Sequence, residues 1–112
     1  MAKYLAVFTG TPTDGPPPDM DQAKIAAGMA AWGKWMADHA ASVRDTGGPL
    51  GRTKLVSKAG ISDTRNHIAG YVIIEADSHD DAAAMFEGHP HFTIFPGDGV
   101  EVMPLLPIPG AP

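Results

Sequence analysis

Five histidines stand in this chain of 112 residues, and the chemistry open to each depends on its neighbours. An imidazole titrates near neutral pH, so one at the mouth of a cavity can serve as a general base or hold a ligand. His39, beside Asp38 on a helical stretch, and His91 are the candidate catalytic residues; the plainer reading of His39 is a half-buried ring whose polar edge meets water. His89 and His91 flank Pro90, and a His-x-His pair can hold a metal when both rings converge with a third ligand. No third ligand stands nearby, so no metal site and no cofactor is assigned. His89 reads as a group closing the helix before Pro90. His67 and His79 precede a strand and open a helix, and both are expected to face solvent.

Trp35, Tyr71 and His39 are the candidates for lining a ligand pocket. Tyr71 lies on an apolar strand and can present its hydroxyl to a cavity, where a buried phenol needs a partner. Trp32 belongs to the apolar stripe of the first helix and reads as core. Trp35 lies off the centre of that stripe, which leaves pocket, dimer seam and surface open. Asp77, Asp80 and Asp81 collect where a helix begins and complement its dipole. Gly47-Gly48-Pro49-Leu50-Gly51 fits neither a phosphate loop nor a dinucleotide fingerprint, and no nucleophile elbow, HExxH or calcium loop is present.

The elements that must position these groups follow from hydrophobic period and from breakers. Residues 3–9 alternate with apolar side chains on both faces, as a strand covered on both sides does. Gly10 to Pro18 is a stiff, proline-rich loop, a connector or a lid over a site. Asp19 with Gln22 resembles a capping box and opens a helix running to about Asp45, its stripe being Ile25, Met29, Trp32, Met36, Ala40 and Val43. Gly47-Gly48-Pro49 stops it. Residues 52–58, with Arg52, Lys54 and Lys58, read as a polar edge strand. Residues 68–76 form a third strand, again apolar on both faces. Ser78 with Asp81 caps a short second helix, which Pro90 ends. Residues 100–105 give a last strand at an edge, and 107–112 a proline-rich tail behind a single domain of residues 1–106.

The order β-α-β-β-α-β is the ferredoxin-like plan: α+β, with a four-stranded antiparallel sheet. Helices cover one sheet face only, yet the central strands are apolar on both. A second copy packed face to face, a dimeric α+β barrel, is the simplest cover. With thirteen acidic residues against eight basic ones the net charge is −5, which argues against nucleic acid or an anionic membrane as partner. The absence of cysteine excludes disulfides and thiolate chemistry. No signal peptide or spanning segment is visible, so a cytoplasmic location is expected.

Several segments, in order along the chain, resemble the YCII-related family of small dimeric α+β barrel proteins, near its DGPF-type members. They are Lys3-Tyr4-Leu5-Ala6-Val7, Ala31-Trp32-Gly33-Lys34-Trp35, Gly47-Gly48-Pro49-Leu50-Gly51, Gly70-Tyr71-Val72-Ile73-Ile74-Glu75-Ala76-Asp77-Ser78, His89-Pro90 and Gly99-Val100-Glu101-Val102. The resemblance implies a bacterial, ferredoxin-like homodimer with a pocket between helix and sheet, but no particular reaction. The histidine of the His/Asp pair found in shorter members has no counterpart in Gly28-Met29-Ala30-Ala31-Trp32. The DGPF tetrapeptide is also missing, Ser62-Asp63-Thr64 standing nearest to it. The expected function is to bind or convert a small organic molecule in the barrel, with Tyr71, Trp35, His39 and His91 lining the site. The alternatives are a non-catalytic dimeric interaction module and a haem-handling or monooxygenase-like activity.

Overall fold

The computed structural model describes residues 1–11 and 20–110, so the proline-rich loop from Pro12 onward, Asp19 and the last two residues of the tail lie outside the described residues. Strand β1 (Ala2–Thr9) and strand β5 (Ile68–Ala76) form the centre of a four-stranded antiparallel sheet, flanked by β2 (Val43–Pro49) beside β5 and β6 (Gly99–Pro104) beside β1. Their register pairs Tyr4 with Ile74, Ala6 with Val72 and Phe8 with Gly70. Because side chains alternate, Tyr4, Ala6, Phe8, Val72, Ile74 and Ala76 all point to one face, and all are buried there. Strand β6 (Gly99–Pro104) forms the edge beside β1. This is the expected ferredoxin-like sheet with the expected central strands.

Helix α1 (Gln22–Asp38) is capped by Asp21, whose carboxylate accepts from the Lys24 amide at 2.7 Å. It ends seven residues before the expected Asp45. His39 stops it, its ring Nδ1–H donating to the Trp35 carbonyl at 2.8 Å while its own amide donates to the same oxygen. The Ser42 and Val43 amides then turn back onto the His39 carbonyl. The buried side of the helix is also rotated from the expected stripe. Gly28 and Trp35 are buried and Ile25, Trp32, Met36 and His39 half-buried, while Met29 is 60% exposed. Gly28 is where Phe95 packs; a Cβ there would lie 2.5 Å from that ring.

The expected second strand is corrected. The edge beside β5 is β2 (Val43–Pro49), the very residues read as a helix end and its stop. Two register shifts bend it. Asp45 Oδ1 accepts from the Gly47 amide at 2.8 Å, and Gly47 turns at φ +59 with its α-carbon close against the Tyr71 carbonyl. A glycine bulge, not a helix stop, is what Gly47-Gly48 encodes. Residues 52–58 are not in the sheet. Among the described residues strand β3 (Thr53–Ser57) pairs only with β4 (Gly60–Thr64), in a separate hairpin turned at Lys58-Ala59, with Gly60 at φ +109 opening β4.

Helix α2 (His79–Ala84) opens on Ser78, whose hydroxyl accepts from the Asp81 amide at 3.0 Å, as expected. Pro90 does not end it. Pro90 is instead the first residue of a further short helix, α3 (Pro90–Thr93), with His89 as its N-cap. Proline has no amide to lose and a helical φ at that position. Trp35, Ala82 and Phe86 bring α1 and α2 onto the buried sheet face, each large side chain contributing about 2 kcal/mol by burial. Among the described residues no helix covers the other face. Leu5, Val7, Tyr71 and Ile73 lie on it, with Met103 beside Leu5. The molecule is accordingly thin, 50 × 41 × 18 Å.

Candidate functional site

Two places gather the groups that can do chemistry. The first is a cluster of histidines and aromatic rings between α1, the end of β1 and α3. His89 is its centre and is fully buried, its ring 4.6 Å from Trp32 and perpendicular to it, 5.1 Å from Phe8 and 5.1 Å from Trp35. Its Nδ1 accepts from the His91 amide at 3.0 Å, so in the neutral ring the proton is on Nε2. That Nε2 has no hydrogen-bond partner among the described residues. Burial, then the nearby His91 and His39, hold its pKa down at about 4. The ring is neutral at physiological pH. Its edge is a buried donor in a cluster of aromatic rings, the nearest of which, Trp32, stands perpendicular to it.

His91 is 8% exposed and its Nε2–H donates to the Thr9 carbonyl at 2.7 Å, leaving Nδ1 as its basic atom. Gly97 makes room for the ring; a Cβ there would lie 2.3 Å from Nε2. His39 is stacked on Trp35 at 4.3 Å and keeps its Nε2 lone pair, since Nδ1 donates to a carbonyl. Trp35 is buried, its Nε1–H donating to the Met85 carbonyl at 2.9 Å. Three of the four expected site residues, His39, Trp35 and His91, therefore meet in one cluster. Tyr71 does not join them, because it lies on the opposite sheet face. His89 was read as a helix end, and the signal that could have found it is the His-Pro pair: proline at the first helical position makes the preceding residue a cap. No three metal-ligating side chains converge among the described residues. His79, expected in solvent, is exposed but stacks on Tyr4, and its ring Nε2–H donates to the Val102 carbonyl at 2.7 Å.

The second place is a groove of about 790 Å³ between the β3–β4 hairpin and the sheet. Gly10 and Thr11, Leu50 to Lys54 and Asp63 to Ala69 line it. Its floor is fixed by the Gly10 amide on the His67 carbonyl and the Leu50 amide on the Ala69 carbonyl, both 2.9 Å. Asn66 holds the hairpin base, accepting from the Ile68 amide at 2.9 Å and donating to Thr53 Oγ1 at 3.3 Å. Arg52, Lys54 and Arg65, three of the eight basic residues, converge on this groove with His67, and Asp63 is the acidic residue lining it among the described residues. Lys54 is paired with Asp63, while Arg52 makes no ion pair among the described residues. The arrangement can hold a small anion against an apolar patch of Leu50, Ile68 and Ala69. The two places share the end of β1: Thr9 accepts from His91, and Gly10 and Thr11 line the groove.

No protein-family model matches the chain, and no curated protein matches it. Among solved structures it is similar to 5-chloro-2-hydroxyhydroquinone dehydrochlorinase from Burkholderia phenoliruptrix AC1100, in complex with 2,5-dihydroxybenzoquinone. The likeness has a TM-score of 0.54 at 20% identity and covers 89% of each chain. At that identity what the two share is the fold, which agrees with the ferredoxin-like reading of the sequence. No helix among the described residues is long and apolar enough to cross a membrane.

Proposed function

We propose that this chain is a YCII-related protein of the dimeric α+β barrel type that binds, or converts, a small organic anion in the groove beside its hairpin. The observation that carries the reading is the sign of that groove: a chain of net charge −5 gathers Arg52, Lys54 and Arg65 around one concavity of about 790 Å³. The volume falls in the range of small-molecule sites, and an apolar floor with a few convergent charges is how such sites fix a ligand's orientation. The structural neighbour is a dehydrochlorinase holding a small quinone, which makes cyclic acids, phenolates and quinones the first class to try. Neither His39 nor His91 lines the groove; His91, tied through Thr9 to the strand end that does and keeping a lone pair on Nδ1, is the base we assign to any proton transfer, and His39 is assigned none in the groove. Tyr71 lines the space between two sheets in the dimer.

A thermal-shift screen of carboxylates, phenolates and quinones against neutral isosteres tests this, with haemin and divalent metals as separate arms. Ligand at about 100 times its dissociation constant stabilises by roughly 2.7 kcal/mol, a rise of roughly 10 °C in a domain of this size. Anions should raise the melting temperature, and Arg52→Ala should remove the rise. Rises confined to neutral compounds, or an anion effect untouched by Arg52→Ala, would put the site elsewhere. A response to haemin alone would favour the haem-handling alternative.

A further inference from the structure

The hairpin of β3 and β4 stands apart from the sheet, and among the described residues its strands pair only with each other. A two-stranded hairpin is marginally stable alone in water, and this one also exposes its apolar side chains. Val56 and Ile61, directly opposite each other near the tip, are 72% and 74% exposed, and Leu55 is 47% exposed. Its charge is opposite to that of the rest of the molecule. Arg52, Lys54, Lys58 and Arg65 stand against Asp63 alone, so residues 52–65 carry +3 in a chain of net −5 and the remainder carries −8. A cationic arm with an apolar tip and an acidic body are thus complementary halves written in one sequence. On the bare sheet face, Glu75 is tied to Arg44 at 3.0 Å, while Glu101 on the edge strand β6 has no ion pair among the described residues.

We propose that the hairpin is a clasp for a second copy of this chain: each arm lies on the acidic body of the other subunit, burying Val56 and Ile61 there. A twofold axis makes the exchange reciprocal, so both arms are covered at once. The inference rests on the dimer of the preceding section and adds to it. Arg52 and Lys54 belong to both arm and groove, so the clasp that orders the arm also sets two cations of the ligand site, and each groove is complete only in the dimer.

Sedimentation of the full chain tests the clasp, comparing wild type with Val56→Ser/Ile61→Ser, Lys58→Glu and Ile73→Asp. The arm positions are too exposed to disturb the core, and far-ultraviolet circular dichroism checks that each variant folds. The wild type should be a dimer that loosens with salt, because exposed charges are screened within about 8 Å at physiological ionic strength. The arm double variant should raise the dissociation constant by roughly tenfold or more, and Lys58→Glu should weaken association and reduce its salt dependence. If Ile73→Asp separates the subunits while both arm variants associate like wild type, the clasp is wrong and the face-to-face dimer stands. A wild type that is monomeric at micromolar concentration overturns both. Arm variants that separate the subunits while Ile73→Asp leaves them together support the clasp and remove the face-to-face packing.

Discussion

His89 sits at the centre of the aromatic cluster with Nδ1 committed to the His91 amide and Nε2 without a partner among the described residues, and this fixes the sign of one pH effect. Unfolded, the ring takes a proton near pH 6.5; folded, only near pH 4. Above pH 6.5 both states hold it neutral and it adds no slope. As the pH falls from 6.5 towards 4, the unfolded chain gains a proton that the native state refuses, and stability drops by about 3 kcal/mol in all. Urea unfolding at about pH 7, 5.5 and 4.5 should show this loss in the wild type. His89→Asn keeps a capping side chain and should flatten that part of the profile, although the smaller residue costs stability at every pH. An unchanged slope in the variant would mean that the loss belongs to other groups.

At the scale of elements, β2 depends on one glycine. Gly47 combines φ +59 with an approach so close that a Cβ would lie 1.9 Å from the Tyr71 carbonyl oxygen. Gly48, its neighbour, has no described atom within 4 Å of such a Cβ. Gly47→Ala should therefore cost about 2 kcal/mol or more, from left-handed backbone strain plus displacement of the edge strand. Gly48→Ala should stay within about 1 kcal/mol of wild type. Denaturant midpoints of the two variants check the contrast, and equal losses would mean that the bulge does not fix the strand. The same bulge explains why β2 was not legible as a strand. Val43-Arg44-Asp45-Thr46-Gly47-Gly48-Pro49 has no two-residue alternation to read, and its pairing is supplied by β5.

At the scale of the whole molecule, the sheet has one face under helices and one face bare. Val72 and Ile73 are consecutive on β5 and point to opposite sides, Val72 at 1% exposure and Ile73 half-buried. Val72→Asp places a charge among Phe8, Ala6 and the helices and should unfold the protein, the cost of an unpaired buried charge exceeding a small domain's stability. Ile73→Asp should leave a folded chain and act on association. Circular dichroism with light scattering separates the two outcomes. An Ile73→Asp chain that fails to fold would show that the bare face is needed by the monomer itself.

The sequence by itself determined the central strands, the Ser78 cap and the α+β order, because alternation over several residues and a serine three before an acidic residue are local signals. It also showed which residue types could do chemistry, and the structure brings His39 and Trp35, neighbours at the end of α1, together with His91 of α3. Tertiary structure alone decided the rest. Whether a polar segment such as 52–58 joins a sheet or leaves it as a hairpin depends on which edge is already taken, here by Val43–Pro49. That His89 caps α3 and stays neutral depends on Phe8, Trp32 and Trp35 closing around it from distant positions. The groove exists only because the hairpin base is held against residues 66–69 and the end of β1. These are outcomes of non-local pairing and packing, which no window along the chain contains.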